Sequence, residues 1–130
     1  MLRYNPPMIR AYLLFNAALY VLFSAWCTLA PDKTAAGIGL GLRSGSGRSE
    51  YITVYGGLQL GLAIFFGIAG LRAEYRTAGL IFALCLYGAL VAFRLVTIIT
   101  VPGLERMTYI TGGLEMVLGA TAAVLWWKRA

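Results

Sequence analysis

The sequence contains no histidine, only two cysteines and only five acidic residues among its 130 positions. The missing histidine excludes imidazole-ligated haem or zinc, histidine general bases and histidine proton relays. Cys27 and Cys85 are too few for a four-cysteine metal site and do not form a CxxC pair, which argues against a thiol oxidoreductase. An enzyme is therefore the least favoured class of function, and neither a cofactor nor a metal is expected.

Apolar residues dominate the rest of the chain. Hydrophobic residues make up 60% and charged residues 12%, against roughly 25% charged in an ordinary soluble domain, and the mean hydropathy is +0.77. Four apolar runs cover residues 11–30, 51–71, 77–101 and 107–127, each near the roughly 20 residues that a spanning helix needs. The predicted fold is therefore an all-α integral membrane four-helix bundle, with residues 1–130 as a single transmembrane domain.

Two features of this pattern refine the topology. The first run exceeds the roughly 7–15 residues of a signal-peptide apolar region, so a span is favoured over a cleaved signal. Residues 32–42 are too short to span, and they predict a short interfacial helix between spans 1 and 2, followed by a polar Gly/Ser-rich loop over residues 43–49.

The net charge of +6 indicates contact with anionic lipid headgroups rather than with nucleic acid. Basic residues near the spans are divided six to four between the two faces, and the richer face carries both termini. This asymmetry predicts a multi-pass membrane protein with both termini in the cytoplasm. The six are Arg3, Arg10, Arg72, Arg76, Lys128 and Arg129, and the four are Lys33, Arg43, Arg48 and Arg106.

Charged side chains inside two of the spans mark the candidate site. Arg94 and Glu115 each lie about 12 Å from the face opposite the termini, and Gln59 lies at the same depth on the second span. A charge in the bilayer core is costly, so we expect an Arg94–Glu115 pair with Gln59 as a further partner. Tyr55 and Thr111 lie on the same helical faces and complete a candidate ligand-binding polar pocket.

Several functions remain open for this constellation. The pair can act purely as a structural clamp, or the pocket can belong to a non-catalytic module that binds a lipid, a small apolar or anionic ligand, a partner helix or a second copy of the chain. The alternative is a small proton-coupled transporter using Glu115, although a carboxylate paired with an arginine resists protonation. Residues 53–59 also echo residues 109–115, either as a weak internal repeat or by coincidence.

The sequence resembles an uncharacterised bacterial four-helix membrane family of the DoxX-like superfamily. The resemblance covers nearly the whole chain and is most specific in the Tyr-Gly-Gly-Leu-Gln stretch of residues 55–59. Leu-Ala-Pro at residues 29–31, Gly-Arg-Ser-Glu at residues 47–50, Arg94 and Glu115 complete it. It implies a compact four-helix bundle in a bacterial inner membrane, with a function that is not established for the family.

Overall fold

The structure is a computed structural model that describes residues 6–129, so Arg3 of the basic count lies outside the described residues. No strand occurs among the described residues, and the predicted all-helical fold is confirmed. A π-helical segment, Ile52–Leu58, joins α3 to α4, and a 3₁₀ turn, Ala73–Tyr75, precedes α5. The α-helices are α1 (Pro6–Leu29), α2 (Pro31–Gly37), α3 (Gly45–Tyr51), α4 (Gln59–Leu71), α5 (Arg76–Thr100) and α6 (Arg106–Arg129).

Four helical segments are long and apolar enough to cross a membrane, as the four apolar runs predict. Large apolar side chains cover their outer surfaces: Leu22 is 68% exposed, Phe93 76% and Ile99 83%. Such a surface suits contact with lipid rather than water. The segments are Pro6–Leu29, Gly45–Leu71, Ala73–Thr100 and Arg106–Arg129. They alternate in direction, so one end of the bundle, the termini end, holds the start of α1, the end of α6 and residues 72–75. The far end holds residues 30–44 and 101–105.

The connection at the far end differs in detail from the sequence prediction. The short helix ends at Gly37, because Gly39 adopts a φ of 78° and the chain reverses, with the Leu40 amide donating to the Ala35 carbonyl at 2.9 Å. The loop predicted over residues 43–49 is wrong from Gly45 onward, where α3 begins. The Ser44 hydroxyl caps this helix by accepting a hydrogen bond from the Gly47 amide at 3.0 Å.

The core is centred on α1, which packs along α4 and also contacts α5, while α6 packs mainly on α5. Leu13 from α1, Phe66 from α4 and Leu80 from α5 are all fully buried, with exposures of 0%. Small residues occupy several other core positions, including Ala69, Ala83 and Ala122. Small side chains let helices approach closely, which is how helices associate where lipid competes for apolar surface.

The π-helical segment lies against the far half of α1. The Ser24 hydroxyl donates to the Gly56 carbonyl at 2.8 Å, and the Tyr51 and Tyr55 rings stack with centroids 4.5 Å apart. Gly56 is buried so close to α1 that a β-carbon there would lie 2.5 Å from the Thr28 hydroxyl oxygen. Because π-helical turns shift the register of the residues that follow, this segment decides which face of α4 meets the bundle.

The two halves of the suggested internal repeat differ in backbone form. Residues 53–58 belong to the π-helical segment, whereas residues 109–115 lie in the regular helix α6. The two stretches that resemble each other in sequence therefore do not share a backbone conformation.

Replacing Gly56 by alanine tests the close approach of α1. The added β-carbon meets the Thr28 hydroxyl, so we expect Gly56→Ala to destabilise the bundle by about 1–3 kcal/mol, measured by thermal unfolding in detergent. Gly57→Ala is the matched control, since nothing lies within 4 Å of a β-carbon there. Adding Thr28→Ala removes the clashing oxygen and is expected to rescue Gly56→Ala. Equal effects at Gly56 and Gly57 would contradict this packing.

Candidate functional site

The charged pair joins the last two helices. Arg94 of α5 donates from Nε to Glu115 Oε2 at 3.0 Å and from Nη2 to Oε1 at 2.8 Å, a bidentate arrangement. The predicted pairing is therefore confirmed. Gly112 makes room for it, because a β-carbon there would lie 3.1 Å from Arg94 Cγ. The side chains are 28% exposed for Arg94 and 15% for Glu115, so the pair is not sealed inside the bundle.

The other residues of the predicted pocket are placed differently. Gln59 is not bonded to the pair, and its amide oxygen is buried without a hydrogen-bond partner among residues 6–129. The expectation that Gln59 joins the pair directly is therefore wrong. The Thr111 hydroxyl donates to the Met107 and Thr108 carbonyls of its own helix, at 2.9 and 3.2 Å. Tyr55 stacks on the ring of the neighbouring Tyr51.

A second polar network, deeper in the bundle, was not singled out as a site from the sequence. Asn16 is fully buried and accepts a hydrogen bond from the Tyr87 hydroxyl of α5. Its amide donates to the Tyr12 carbonyl at 2.8 Å, and the Tyr12 hydroxyl donates to the Leu118 carbonyl of α6 at 2.9 Å. The signal for this network is the polar stripe on α1, in which residues 12, 16, 20 and 24 recur at four-residue spacing.

A third polar cluster fastens the far-end connection. The Tyr51 hydroxyl donates to Thr34 Oγ1 at 3.0 Å, and Thr34 in turn donates to the Ala30 carbonyl at 2.8 Å. On the surface, Arg48 and Asp32 form an exposed ion pair at 2.9 Å. The cluster holds α2 against α1 and α3. No group of three or more potential metal ligands occurs among the described residues.

A groove runs between α5 and α6 beside the charged pair. It consists of two cavities of about 200 and 360 Å³ that share Val91 and Met116 in their linings. The smaller cavity holds Arg94 in an otherwise largely apolar wall, and the larger one continues toward the termini end. The smaller is lined by Val91, Arg94, Leu95, Ile98, Tyr109, Gly112, Gly113 and Met116. The larger is lined by Leu84, Tyr87, Gly88, Val91, Met116, Gly119, Ala120 and Ala123.

Fold and site together define a small membrane protein: a helical bundle with four segments able to span, in which an arginine–glutamate pair links the last two. Residues 8–127 match the family described as "Domain of unknown function (DUF4345)", and the chain belongs to that family. No curated protein and no solved structure matches the chain significantly.

A double-mutant cycle measures how strongly Arg94 and Glu115 interact. Arg94→Ala alone leaves a partly buried carboxylate unpaired, a change that costs roughly 3–5 kcal/mol in soluble cores. We expect the double variant Arg94→Ala/Glu115→Ala to lose less stability than the sum of the two single variants, as measured by thermal unfolding in detergent. The exposed Arg48–Asp32 pair is the control, and its cycle should give about 1 kcal/mol of coupling or less. Additive losses for Arg94 and Glu115 would contradict the pairing.

Proposed function

We propose that the protein is a non-catalytic membrane module that binds a lipid or lipid-like amphiphile in the groove between α5 and α6. The observation that carries the proposal is Arg94, a charged donor in an otherwise largely apolar groove. A guanidinium has five N–H donors, and Glu115 receives two of them. Three N–H groups are therefore left to bind an oxygen of a ligand.

The groove combines one charged side chain with a long apolar lining. Arg94 lies six residues, or about 9 Å, before the end of α5, where the headgroup region begins. The apolar lining continues as far as Leu84, ten residues or about 15 Å deeper along the helix. Counted from the end of α5, the lining therefore reaches about 24 Å, past the middle of the roughly 30 Å hydrocarbon core. A ligand with its oxygen-bearing group at Arg94 would lie below the headgroup region, with its apolar chain along this lining.

The geometry of the pair favours binding over proton-coupled transport. Both carboxylate oxygens of Glu115 accept hydrogen bonds from Arg94, so the carboxylate cannot take up a proton without disturbing the pair. A binding module needs no such exchange. In it, Glu115 holds the guanidinium in place, and the remaining donors of Arg94 contact the ligand.

A photoreactive probe tests the groove. We expect a fatty acid with a mid-chain diazirine, added to membranes that contain the protein, to label the groove residues Val91, Met116 and Ala120 preferentially. Gly88→Leu fills the groove and should lower this labelling several-fold. Gly61→Leu is the matched control, since neither glycine has an atom within 4 Å of an added β-carbon. Tail-labelled phosphatidylglycerol in a parallel arm distinguishes a phospholipid from a free fatty acid as the source of the chain.

Two outcomes would overturn the binding proposal. One is labelling spread evenly over the exposed faces of all four spans and insensitive to Gly88→Leu. The other is loss of cross-linking between two copies of the chain in Gly88→Leu, which would make the groove a dimer interface instead of a lipid site.

We further infer that the protein lies in a bacterial inner membrane with both termini in the cytoplasm, and that its family is related to the DoxX-like superfamily. Among the described residues, five basic side chains lie at the termini end and four at the far end, and Arg3 of the sequence raises the first number to six. The residue stretches given for the resemblance support the relationship to the superfamily.

Cysteine labelling tests the orientation. A membrane-impermeant maleimide added to intact cells should label Ser46→Cys, at the far end, because that end faces outward if the basic end is cytoplasmic. Glu74→Cys, at the termini end, should react only after the cells are broken open. The reverse pattern would invert the topology.

A further inference from the structure

Two arginines at the termini end have guanidinium nitrogens that are enclosed yet unbonded. Arg76 begins α5, and Arg129 ends α6. Within the part of the chain that the structure describes, Arg76 Nε and Arg129 Nη1 are buried and have no hydrogen-bond partner. Removing a charged donor from water without giving it an acceptor is unfavourable. The enclosed nitrogens are not accessible from outside, but each residue is partly exposed and its other guanidinium nitrogens are not buried, so they can bind an acceptor from outside the chain.

Both arginines lie at nearly the same level of the bundle. Helices α5 and α6 meet closely where a β-carbon on Gly119 would lie 3.1 Å from that of Tyr87. Tyr87 follows Arg76 by 11 residues, about 16 Å, and Gly119 precedes Arg129 by 10 residues, about 15 Å. Measured along the bundle axis from this contact, the two arginines therefore lie at levels that differ by roughly 2 Å or less. Arg76 lies four residues before the buried Leu80, and Arg129 lies four residues after the buried Leu125, so both arginines continue the faces of α5 and α6 that meet the bundle.

Their level corresponds to the lipid headgroups. Helix α5 has 25 residues and is therefore about 37 Å long, which exceeds the roughly 30 Å hydrocarbon core. With Arg94 inside the hydrocarbon, Arg76 at the opposite end of the helix lies at the membrane surface. The Arg129 guanidinium stacks over the Trp126 ring of its own helix, with the guanidinium carbon 4.4 Å from the ring centroid.

The charge at this end favours an anion. Among the described residues, the acidic side chain at the termini end is Glu74. Its carboxylate lies 3.8 Å from the Arg72 guanidinium, so it faces Arg72 and not Arg76 or Arg129. Basic side chains outnumber this carboxylate at the termini end: Arg10, Arg72, Arg76, Lys128 and Arg129.

We propose that Arg76 and Arg129 together bind the phosphate of one anionic phospholipid headgroup. Guanidinium groups match phosphate oxygens with paired N–H donors, and basic pockets between helices at a membrane surface are suited to such headgroups. This site is at the opposite end of the bundle from Arg94 and stands independently of the groove between α5 and α6.

Native mass spectrometry of the full chain in detergent, titrated with phosphatidylglycerol, tests the proposal. We expect Arg76→Gln and Arg129→Gln each to weaken phosphatidylglycerol binding about tenfold, which corresponds to about 1.4 kcal/mol. Arg72→Gln is the matched control at the same end, because its side chain is 70% exposed and faces Glu74. Binding to this control should stay within about twofold of the native chain, since surface ion pairs contribute little.

Two further arms keep the test decisive. Arg76→Lys and Arg129→Lys preserve the charge but lose the paired donors, so intermediate binding supports the site and argues against a folding defect. Equal weakening by Arg72→Gln, Arg76→Gln and Arg129→Gln would instead show diffuse attraction to the basic end and overturn the proposal. Displacement of the lipid by millimolar inorganic phosphate would overturn the phospholipid as the source of the phosphate.

Discussion

A polar group inside a bilayer has no water with which to form hydrogen bonds, and the packing of the four long helices depends on that constraint. Asn16 of α1 is fully buried, accepts a hydrogen bond from Tyr87 of α5 and donates to the Tyr12 carbonyl, while the Tyr12 hydroxyl donates to the α6 backbone. Asn16 and Tyr12 of α1 together therefore connect three helices. Sliding any of them along its axis would leave buried polar groups unpaired, at about 1–3 kcal/mol for each group. Apolar contacts fix the positions of the helices along their axes less strictly, because lipid tails solvate the same surfaces equally well.

The same lack of water acts on the polar groups nearer the far end of the bundle, and it explains why polar bonds and small residues occur together there. Near the far end, Ser24 connects α1 to the π-helical segment through the Gly56 carbonyl, while Arg94 connects α5 to α6 through Glu115. Glycines occur where these bonds need two helices close together, as at Gly112 beside Arg94. Polar bonds thus set the register, and small residues permit the approach that those bonds require. The apolar side chains of the outer faces adapt to lipid.

The sequence predicted the Arg94–Glu115 pair because depth and face follow from a constant rise and twist, and α5 and α6 are regular helices. The same reasoning failed for Gln59. A π-helical segment precedes it, so a face inferred from four-residue spacing through Tyr55 does not continue to Gln59 in the expected direction. The start of α3 was missed for a local reason, since a run of glycine and serine predicts a loop until the Ser44 cap is known. The four spans were predictable because composition alone decides them.

The clamp and the binding site are not competing descriptions of Arg94. An arginine near the end of a span can usually extend toward the headgroups, but here the bidentate bond fixes the guanidinium to Glu115, nine residues or about 13 Å from the start of α6. The clamp therefore holds a charged side chain at a depth where it lines the groove between α5 and α6. Hydrocarbon offers no acceptor for the N–H groups that Glu115 does not bind. The proposed lipid-like ligand would supply that acceptor, so the interaction that orders α5 and α6 is also the one on which the proposed binding depends.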